Sequence, residues 1–199
     1  SSVSTSWLKH AESYVDSISD MLQLSKNSFV VELASNDGYL LQYFSAMQIK
    51  CLGVEPTLEV AQIAESKGVE TLVDFFGTET AETIVERHGN SDLIIANNVL
   101  AHVPDINDFI KGVSILLADN GVFTIEFPHL LQLIEKCQFD TIYHEHYSYL
   151  SLSVVRDILS EAGLKIFDVE ELHTHGGSLR VYVQHAKSNF RAENKRVGS

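Results

Sequence analysis

The sequence is poor in cysteine and lacks long apolar runs, and each shortage removes a class of protein. Only two cysteines occur, Cys51 and Cys137, both in apolar surroundings. They exclude a disulfide-rich scaffold and favour a reduced, cytoplasmic protein. No apolar stretch is long enough to span a bilayer, and no signal peptide opens the chain, so we expect no membrane partner.

Basic residues are also scarce, because 14 lysines and arginines stand against 27 acidic residues, a formal net charge of −13. Nucleic-acid-binding proteins neutralise phosphates with basic side chains, so this balance argues against a nucleic-acid partner. The chain has 199 residues, which is enough for one medium-sized domain with a substantial core. Its oligomeric state cannot be predicted from these properties.

Apolar periodicity predicts strands that alternate with helices. Residues 7–24 have the apolar spacing of an amphipathic helix, and the last predicted strand is 178–185. The predicted strands are 29–34, 51–55, 69–73, 92–96, 122–127, 164–170 and 178–185, and the other helices are 39–48, 57–67, 78–88, 105–117 and 152–162. Such alternation indicates an α/β fold with a parallel sheet, here with an antiparallel terminal hairpin. We expect a helical extension (1–26), one domain (27–188) and a frayed polar tail (189–199).

The most informative segment is the first predicted strand and the turn after it. An acid, Glu32, lies near the end of the strand, and Ala34, Asn36 and Gly38 lie in the turn where a dinucleotide site carries its glycine-rich motif. Asp37 adds a second acid within the turn. Acids repel a pyrophosphate but attract a cation or an ammonium group. S-adenosylmethionine carries a sulfonium cation and an ammonium group and has no phosphate, so it fits better than a dinucleotide. The alternative is an ordinary turn that binds no ligand.

Polar residues at the ends of the next strands converge on the same edge of the predicted sheet, where α/β proteins bind ligands. Glu55 follows the second strand and is a candidate partner for ribose hydroxyls. Asp74 and Phe75 follow the third, where an acid can bind the adenine amino group and an aromatic ring can cover the base; a loop acid beside core aromatics explains them equally well. Asn97 follows the fourth, and its backbone is expected to face the methionine moiety.

A second informative segment, YHEHYSY, spans residues 143–149. His144 and His146 would share one face of an extended strand, as metal ligands can. Only the pair His173 and His175 could complete such a site, so we expect no metal. The other interpretations are a general-base histidine held by neighbouring Glu and Tyr side chains, or an ordinary polar segment.

The ordered segments VVELASNDGYLLQYF, GVEPT, NNVLAHVPD, YHEHYSYLS and HGGSLR resemble the S-adenosylmethionine-dependent sugar C-methyltransferases, over about residues 7–180. That family methylates nucleotide-linked 4-keto-deoxysugars, typically at C3. The resemblance implies a class I methyltransferase fold: a seven-stranded, mostly parallel Rossmann-like sheet. It implies that His146 is the general base, with Tyr143, Glu145 and His102 around the reacting centre. It also implies that the cofactor is held by Glu32, Ala34, Asn36, Gly38 and Glu55.

The residue types suit this chemistry. A carbon beside a ketone must lose a proton before it attacks the sulfonium methyl group, and a neutral imidazole with a pKa near ~6.5 is matched to that step. Tyr143 or His102 could stabilise the developing enolate. A small-molecule O- or N-methyltransferase and a cofactor-free interaction domain stay open as alternatives, because a fold does not settle its acceptor.

The sequence departs from this family at both ends. Full-length relatives carry a cysteine-rich zinc-binding region before this domain and a second α/β domain after HGGSLR, and neither is in the sequence. An excised central domain or a reduced relative is expected, one that binds cofactor well and the sugar nucleotide poorly. Arg180 is the nearest candidate for the pyrophosphate, although an arginine at the start of a strand more often forms a surface pair.

Overall fold

The computed structural model describes residues 5–135, 147–172 and 177–198. The helices are α1 (Thr5–Leu22), α2 (Leu41–Ala46), α3 (Leu58–Ser66), α4 (Thr78–His88), α5 (Ile106–Leu116), α6 (Leu130–Glu135) and α7 (Leu152–Glu161), with 3₁₀ turns at Leu100–His102 and Lys195–Gly198. The strands are β1 (Phe29–Leu33), β2 (Lys50–Val54), β3 (Thr71–Leu72), β4 (Ser91–Asn97), β5 (Leu117–Pro128), β6 (Leu164–Leu172) and β7 (Ser178–His185). None of the helices among these residues has the length and apolarity that crossing a membrane requires.

The seven strands form one sheet in the order β3-β2-β1-β4-β5-β7-β6. Strands β1 to β5 pair in parallel, and β7 lies antiparallel between β5 and β6. The predicted fold class is therefore confirmed, including the terminal hairpin and the N-terminal helix. The order reverses between β1 and β4, which places a crevice at their carboxyl ends.

Helices cover both faces of the sheet because its strands are apolar on both sides. One face packs against α4, α5 and α7, with Phe109, Phe123 and Phe127 fully buried in its core. The other packs against α1 and α2, with Ile18 and Phe44 in its core. Burying each such side chain contributes about 1.5–3 kcal/mol to stability. The side chains of Asp105 and Ser151 cap the amino ends of α5 and α7, which explains where these helices begin.

Two regions differ from the prediction. β5 begins at Leu117, five residues before the predicted strand 122–127, and residues 118–121 interrupt the register between the pairs Ser91–Leu117 and Leu93–Val122. The C-terminal tail was expected to fray, yet it folds back onto the domain. The Arg191 guanidinium donates to the Met21 carbonyl at 2.6 Å, and the Asn194 amide donates to the Phe167 carbonyl at 2.7 Å.

Candidate cofactor site

The turn after β1 has an unusual backbone that draws it into a tight loop. Ala34, Asn36 and Gly38 all adopt left-handed φ angles, of 54°, 53° and 71°. Only glycine reaches this region without strain, and Asn tolerates it better than other side chains. The Gly38 amide donates to the Ser35 carbonyl at 3.1 Å and closes the loop. The three positions predicted from the turn are therefore brought together in a single small bend.

Glu55 joins this loop to the end of β2. Its carboxylate accepts hydrogen bonds from the backbone amides of Asn36 at 3.1 Å and Thr57 at 2.9 Å. The residue is only 7% exposed, so the two amides hold its position. Each carboxylate oxygen keeps a further lone pair, which leaves Glu55 able to accept from a ligand hydroxyl beside the loop.

Glu32 is a deeply buried acid of the site. It is 1% exposed, and its Oε2 atom has no hydrogen-bond partner among the described residues. Burial raises its pKa well above the ordinary value, and the carboxylates of Asp37 and Glu55 raise it further. Asp37 is itself held by Lys67, whose Nζ lies 3.1 Å from its Oδ2 and 2.9 Å from its carbonyl. A buried acid in such surroundings favours a positively charged ligand.

A cavity of about 580 Å³ opens beside this loop at the carboxyl edge of the sheet. Its walls are mainly apolar, and they include the carboxylates of Asp74, Asp105 and Asp108. Three of the predicted cofactor-binding residues, Ala34, Asp74 and Phe75, line it. Its lining is Ala34, Val54, Pro56, Asp74, Phe75, Phe76, Val99, His102, Val103, Pro104, Asp105, Asp108, Phe109 and Tyr147. Phe75 is 79% exposed, so its ring is available to cover a flat ligand in the cavity.

The predicted catalytic residues divide into two groups. His102 lies in the 3₁₀ turn after β4, is exposed, and lines the cavity. Tyr143, Glu145 and His146 lie outside the described residues, as do His144, His173 and His175. Tyr147, the next residue of the chain, lines the cavity, and its backbone amide donates to the Ala101 carbonyl at 2.7 Å. Among the described residues, no group of three potential ligands could hold a metal.

A match to a family model assigns the domain to a family. Residues 7–169 match the model described as a methyltransferase domain. The chain belongs to this methyltransferase family. It is 37% identical over 182 residues to the C-methyltransferase NovU of Streptomyces niveus. That match covers 92% of this chain and 43% of NovU, so the chain spans less than half the length of this relative.

Solved structures share the fold of this methyltransferase at low sequence identity. The PH0226 protein of Pyrococcus horikoshii superimposes with a TM-score of 0.71 at 13% identity, covering 92% of this chain and 93% of its own. An S-adenosylmethionine-dependent methyltransferase of Clostridium acetobutylicum superimposes with a TM-score of 0.68 at 15% identity, covering 89% of this chain and 91% of its own. Magnesium protoporphyrin IX methyltransferase of Synechocystis was solved with bound S-adenosylhomocysteine. It has a TM-score of 0.64 at 15% identity, and the match covers 86% of this chain and 82% of its own. These matches support the class I methyltransferase fold.

The methyltransferase site also contains residues that sequence reasoning missed. Trp7 of α1 lies against Tyr39, the residue that follows Gly38 of the loop, with ring centroids 6.0 Å apart. The expected contribution of the Asn97 backbone stays a prediction. The Asn97 Oδ1 atom is buried and has no partner among the described residues. His10 of α1 reaches the same edge, 3.6 Å from the carboxylate of Glu126. The spacing of residues 7, 10 and 14 along α1 is the sequence feature that could have identified this face.

Proposed function

We propose that this methyltransferase binds S-adenosyl-L-methionine and methylates a carbon adjacent to the ketone of a nucleotide-linked deoxysugar, as part of deoxysugar biosynthesis. The buried carboxylate of Glu32 carries the first part of the proposal. It lies beside Asp37 and Glu55 at the carboxyl edge of the sheet, and one of its oxygens has no hydrogen-bond partner among the described residues. An isolated buried carboxylate is costly, and a cationic ligand removes that cost.

The donor set fits S-adenosylmethionine group by group. Adenine would lie in the cavity between Asp74 and Phe75, and Glu55 would accept from the ribose hydroxyls. Glu32 and the Asn97 carbonyl oxygen would hold the ammonium group. Three acids beside the loop make the same place unfavourable for a pyrophosphate. When bound, the cofactor supplies an electrophilic methyl group.

C-methylation is supported by the similarity to NovU, which extends over 92% of this chain. In the proposed reaction the His146 imidazole accepts the proton from the carbon beside the ketone. Tyr143 or His102 donates a hydrogen bond to the enolate oxygen as its charge develops. Glu145 holds the imidazole in position. His102 lines the cavity, which supports a place for it near the reacting carbon.

This domain by itself is expected to bind the sugar nucleotide weakly. Its formal net charge of −13 repels a pyrophosphate. Arg180, the nearest candidate cation, is only 5% exposed and is bonded to the carboxylates of Glu126 and Glu170. The interpretation of Arg180 as a surface pair was therefore wrong, and it is not available to a phosphate. We infer that groups other than Arg180 bind the pyrophosphate.

Calorimetric titration with S-adenosylhomocysteine tests cofactor binding. We expect micromolar affinity, weakened about tenfold or more by Glu55→Ala, which corresponds to about 1.4 kcal/mol. Glu59→Ala, on the exposed side of the first turn of α3, is the matched control and should leave the affinity for S-adenosylhomocysteine unchanged. Absence of binding by the unmodified chain would refute the proposal.

Solvent deuterium exchange tests the class of acceptor. At a saturating concentration of a nucleotide-linked 4-keto sugar, a C-methyltransferase should exchange the proton on the carbon beside the ketone for deuterium. His146→Ala should abolish that exchange while leaving cofactor affinity unchanged. An O- or N-methyltransferase needs no carbanion, so methyl transfer without any exchange would favour that alternative.

A further inference from the structure

Lys67, at the end of α3, reaches the cofactor loop, which consists of residues 34–38 after β1. Its Nζ atom donates to the Asp37 carbonyl at 2.9 Å and lies 3.1 Å from Asp37 Oδ2. The Lys67 side chain is 29% exposed and that of Asp37 is 11% exposed, so the pair is largely shielded from water. A charged donor that binds both the carbonyl and the carboxylate of one residue restrains the backbone and the side chain of that residue together.

The turn that ends α3 holds the Lys67 backbone in place. The Lys67 amide donates to the Ala64 carbonyl at 3.0 Å, and the Val69 amide donates to the same carbonyl at 3.1 Å. Gly68 has a left-handed φ of 81°, as the residue after a helix end commonly has. The Lys67 side chain therefore extends from a fixed point toward the loop.

The cofactor loop lies tightly against this helix end. A Cβ atom on Gly38 would lie 3.1 Å from the Ala64 Cβ. The loop is also strained, because Ala34 and Asn36 have left-handed φ angles without being glycine. Such a backbone persists only where surrounding contacts hold it. Lys67 adds an ionic contact to the apolar contact at Gly38.

The restraint at Asp37 extends to Glu55 through Asn36. The Asp37 amide donates to Asn36 Oδ1 at 2.9 Å, and the Asn36 amide donates to the Glu55 carboxylate at 3.1 Å. A displacement of Asp37 therefore moves the amide that holds the proposed ribose acceptor. We propose that Lys67 is a positioning residue, which holds the cofactor loop in the bend that sets Glu55 against the ribose of the methyl donor. This inference rests on the proposed cofactor binding.

Lys67 also affects the charge of the site, and this effect has the opposite sign. Its ammonium group lies beside the acids Glu32, Asp37 and Glu55, so its removal makes the site more negative. A more negative site attracts the ammonium group of a ligand more strongly. A positioning role therefore predicts weaker binding when Lys67 is lost, whereas a purely electrostatic role predicts tighter binding of a cationic ligand.

Two ligands separate these effects. S-adenosylhomocysteine has adenine, ribose and the α-amino acid group, whereas 5′-methylthioadenosine has adenine and ribose and lacks the amino acid group. Lys67→Met keeps an unbranched side chain and removes the charge and the donors. It should weaken 5′-methylthioadenosine about tenfold, as expected for the loss of a charged hydrogen bond. It should weaken S-adenosylhomocysteine by a smaller factor, because the site without Lys67 attracts the ammonium group more strongly.

A conservative variant and a matched control accompany this change. The guanidinium in Lys67→Arg can donate to the same carbonyl and carboxylate, so both affinities should return to within about threefold of the unmodified chain. Lys187→Met also removes one positive charge from a lysine–aspartate pair, here with Asp119 at 3.0 Å near the start of β5. It should leave both affinities unchanged.

Urea unfolding tests whether Lys67 supports the loop or the whole fold. A partly exposed ion pair contributes little to overall stability, so Lys67→Met should shift the urea midpoint by no more than about 0.5 M. A larger shift, with a loss of affinity that Lys67→Arg does not restore, would make Lys67 a general structural residue and overturn the positioning role.

Calorimetric titration of the variants with both ligands decides between the two effects. Weaker binding of 5′-methylthioadenosine by Lys67→Met, restored by Lys67→Arg and absent in Lys187→Met, supports the positioning role. Tighter binding of S-adenosylhomocysteine with unchanged 5′-methylthioadenosine, or no change with either ligand, overturns it and leaves the proposed function in place. If the unmodified protein binds neither ligand, cofactor binding itself is refuted and the positioning role with it.

Discussion

The carboxylate of Glu126 and the guanidinium of Arg180 lie 2.9 Å apart on paired strands, and the two residues are 1% and 5% exposed. Arg180 also bonds Glu170 at 3.4 Å and lies over the Tyr14 ring at 4.5 Å. This ion pair therefore joins β5, the terminal hairpin of β6 and β7, and α1 in one buried cluster. Its position at the edge of the site links the stability of the fold to the geometry of the cofactor pocket.

Breaking this pair should be costly because it leaves a buried charge without compensation. Arg180→Met has similar length and no charge, and it strands the Glu126 carboxylate. We expect the free energy of unfolding in urea to fall by about 3–5 kcal/mol. The double variant Glu126→Gln, Arg180→Met should recover part of this loss. Lys187→Ala breaks an exposed pair with Asp119 and serves as the control, with no measurable change. A small loss in Arg180→Met alone would contradict the buried-charge argument.

The same pair sets a pH dependence on the acid side. Burial acts to raise the pKa of Glu126, but hydrogen bonds from His10 and Arg180 and their charges outweigh it, so the net shift is downward. A lowered pKa means that the stabilisation is present above the ordinary value of 4.5 and is lost as pH falls through the folded-state pKa. The difference in unfolding free energy between the unmodified chain and Arg180→Met should therefore shrink as pH is lowered from neutral. A difference independent of pH would contradict this assignment.

Glu32 should affect stability and binding in opposite directions. Because its pKa is raised, the folded protein favours the protonated acid, and stability is lost as pH rises from 4.5 towards the folded-state pKa. Glu32→Gln keeps the shape without the charge. We expect a higher melting temperature for the ligand-free variant, with a gain that is larger at neutral than at acidic pH.

Ligand binding should favour the unmodified chain over Glu32→Gln, because the carboxylate that lowers the stability of the free protein is the one that attracts the ammonium group. Glu32→Gln should weaken S-adenosylhomocysteine by about tenfold. Glu65→Gln, an exposed change on α3, is the control for lost charge alone. If Glu32→Gln destabilised the free protein and left affinity unchanged, Glu32 would be structural and unconnected with the cofactor.

Much of the fold follows from local patterns, whereas the burial of polar side chains such as Arg180 depends on strand pairing. The predicted bounds of α4 and β7 agree with the structure because periodicity and flanking turns are local. Helix α6, which comes directly after β5, was not predicted. The burial of Arg180 could not be inferred either, since it depends on which residues of β5 and β6 face it.

The site shows the same division. Glu55 and the loop after β1 could be predicted because each follows a strand whose end is visible in the sequence. The contact between Trp7 and Tyr39 joins residues from different helices, and it requires knowledge of how α1 lies on the sheet. The amphipathic pattern of α1 predicts that one face is buried but not which partner it meets.

Gly53 should be intolerant of a side chain because of the cofactor loop above it. A Cβ atom at this position would lie 2.9 Å from the Ser35 Cβ and closer still to its Oγ. Gly53→Ala should displace the loop, reduce stability by about 1–3 kcal/mol and weaken S-adenosylhomocysteine. Ser35→Gly in the same chain removes the clashing atoms and should restore part of both properties, as followed by urea unfolding and calorimetry. Failure of this second change to help would place the strain elsewhere.

Phe75→Ala tests the proposed adenine contact, because the substitution should weaken ligand binding while leaving the stability of the protein almost unchanged. Its ring is 79% exposed, so Phe75→Ala should change the free energy of unfolding by no more than about 0.5 kcal/mol. Stacking of an aromatic ring on a base is worth about 1–3 kcal/mol, so affinity for both S-adenosylhomocysteine and 5′-methylthioadenosine should fall by about tenfold or more. Phe190→Ala, a half-exposed ring that lies over Arg191 and away from the cavity, should leave both affinities intact. Because adenine is common to the two ligands, a loss limited to S-adenosylhomocysteine would mean that Phe75 contacts the amino-acid end and that the ligand lies in the opposite direction.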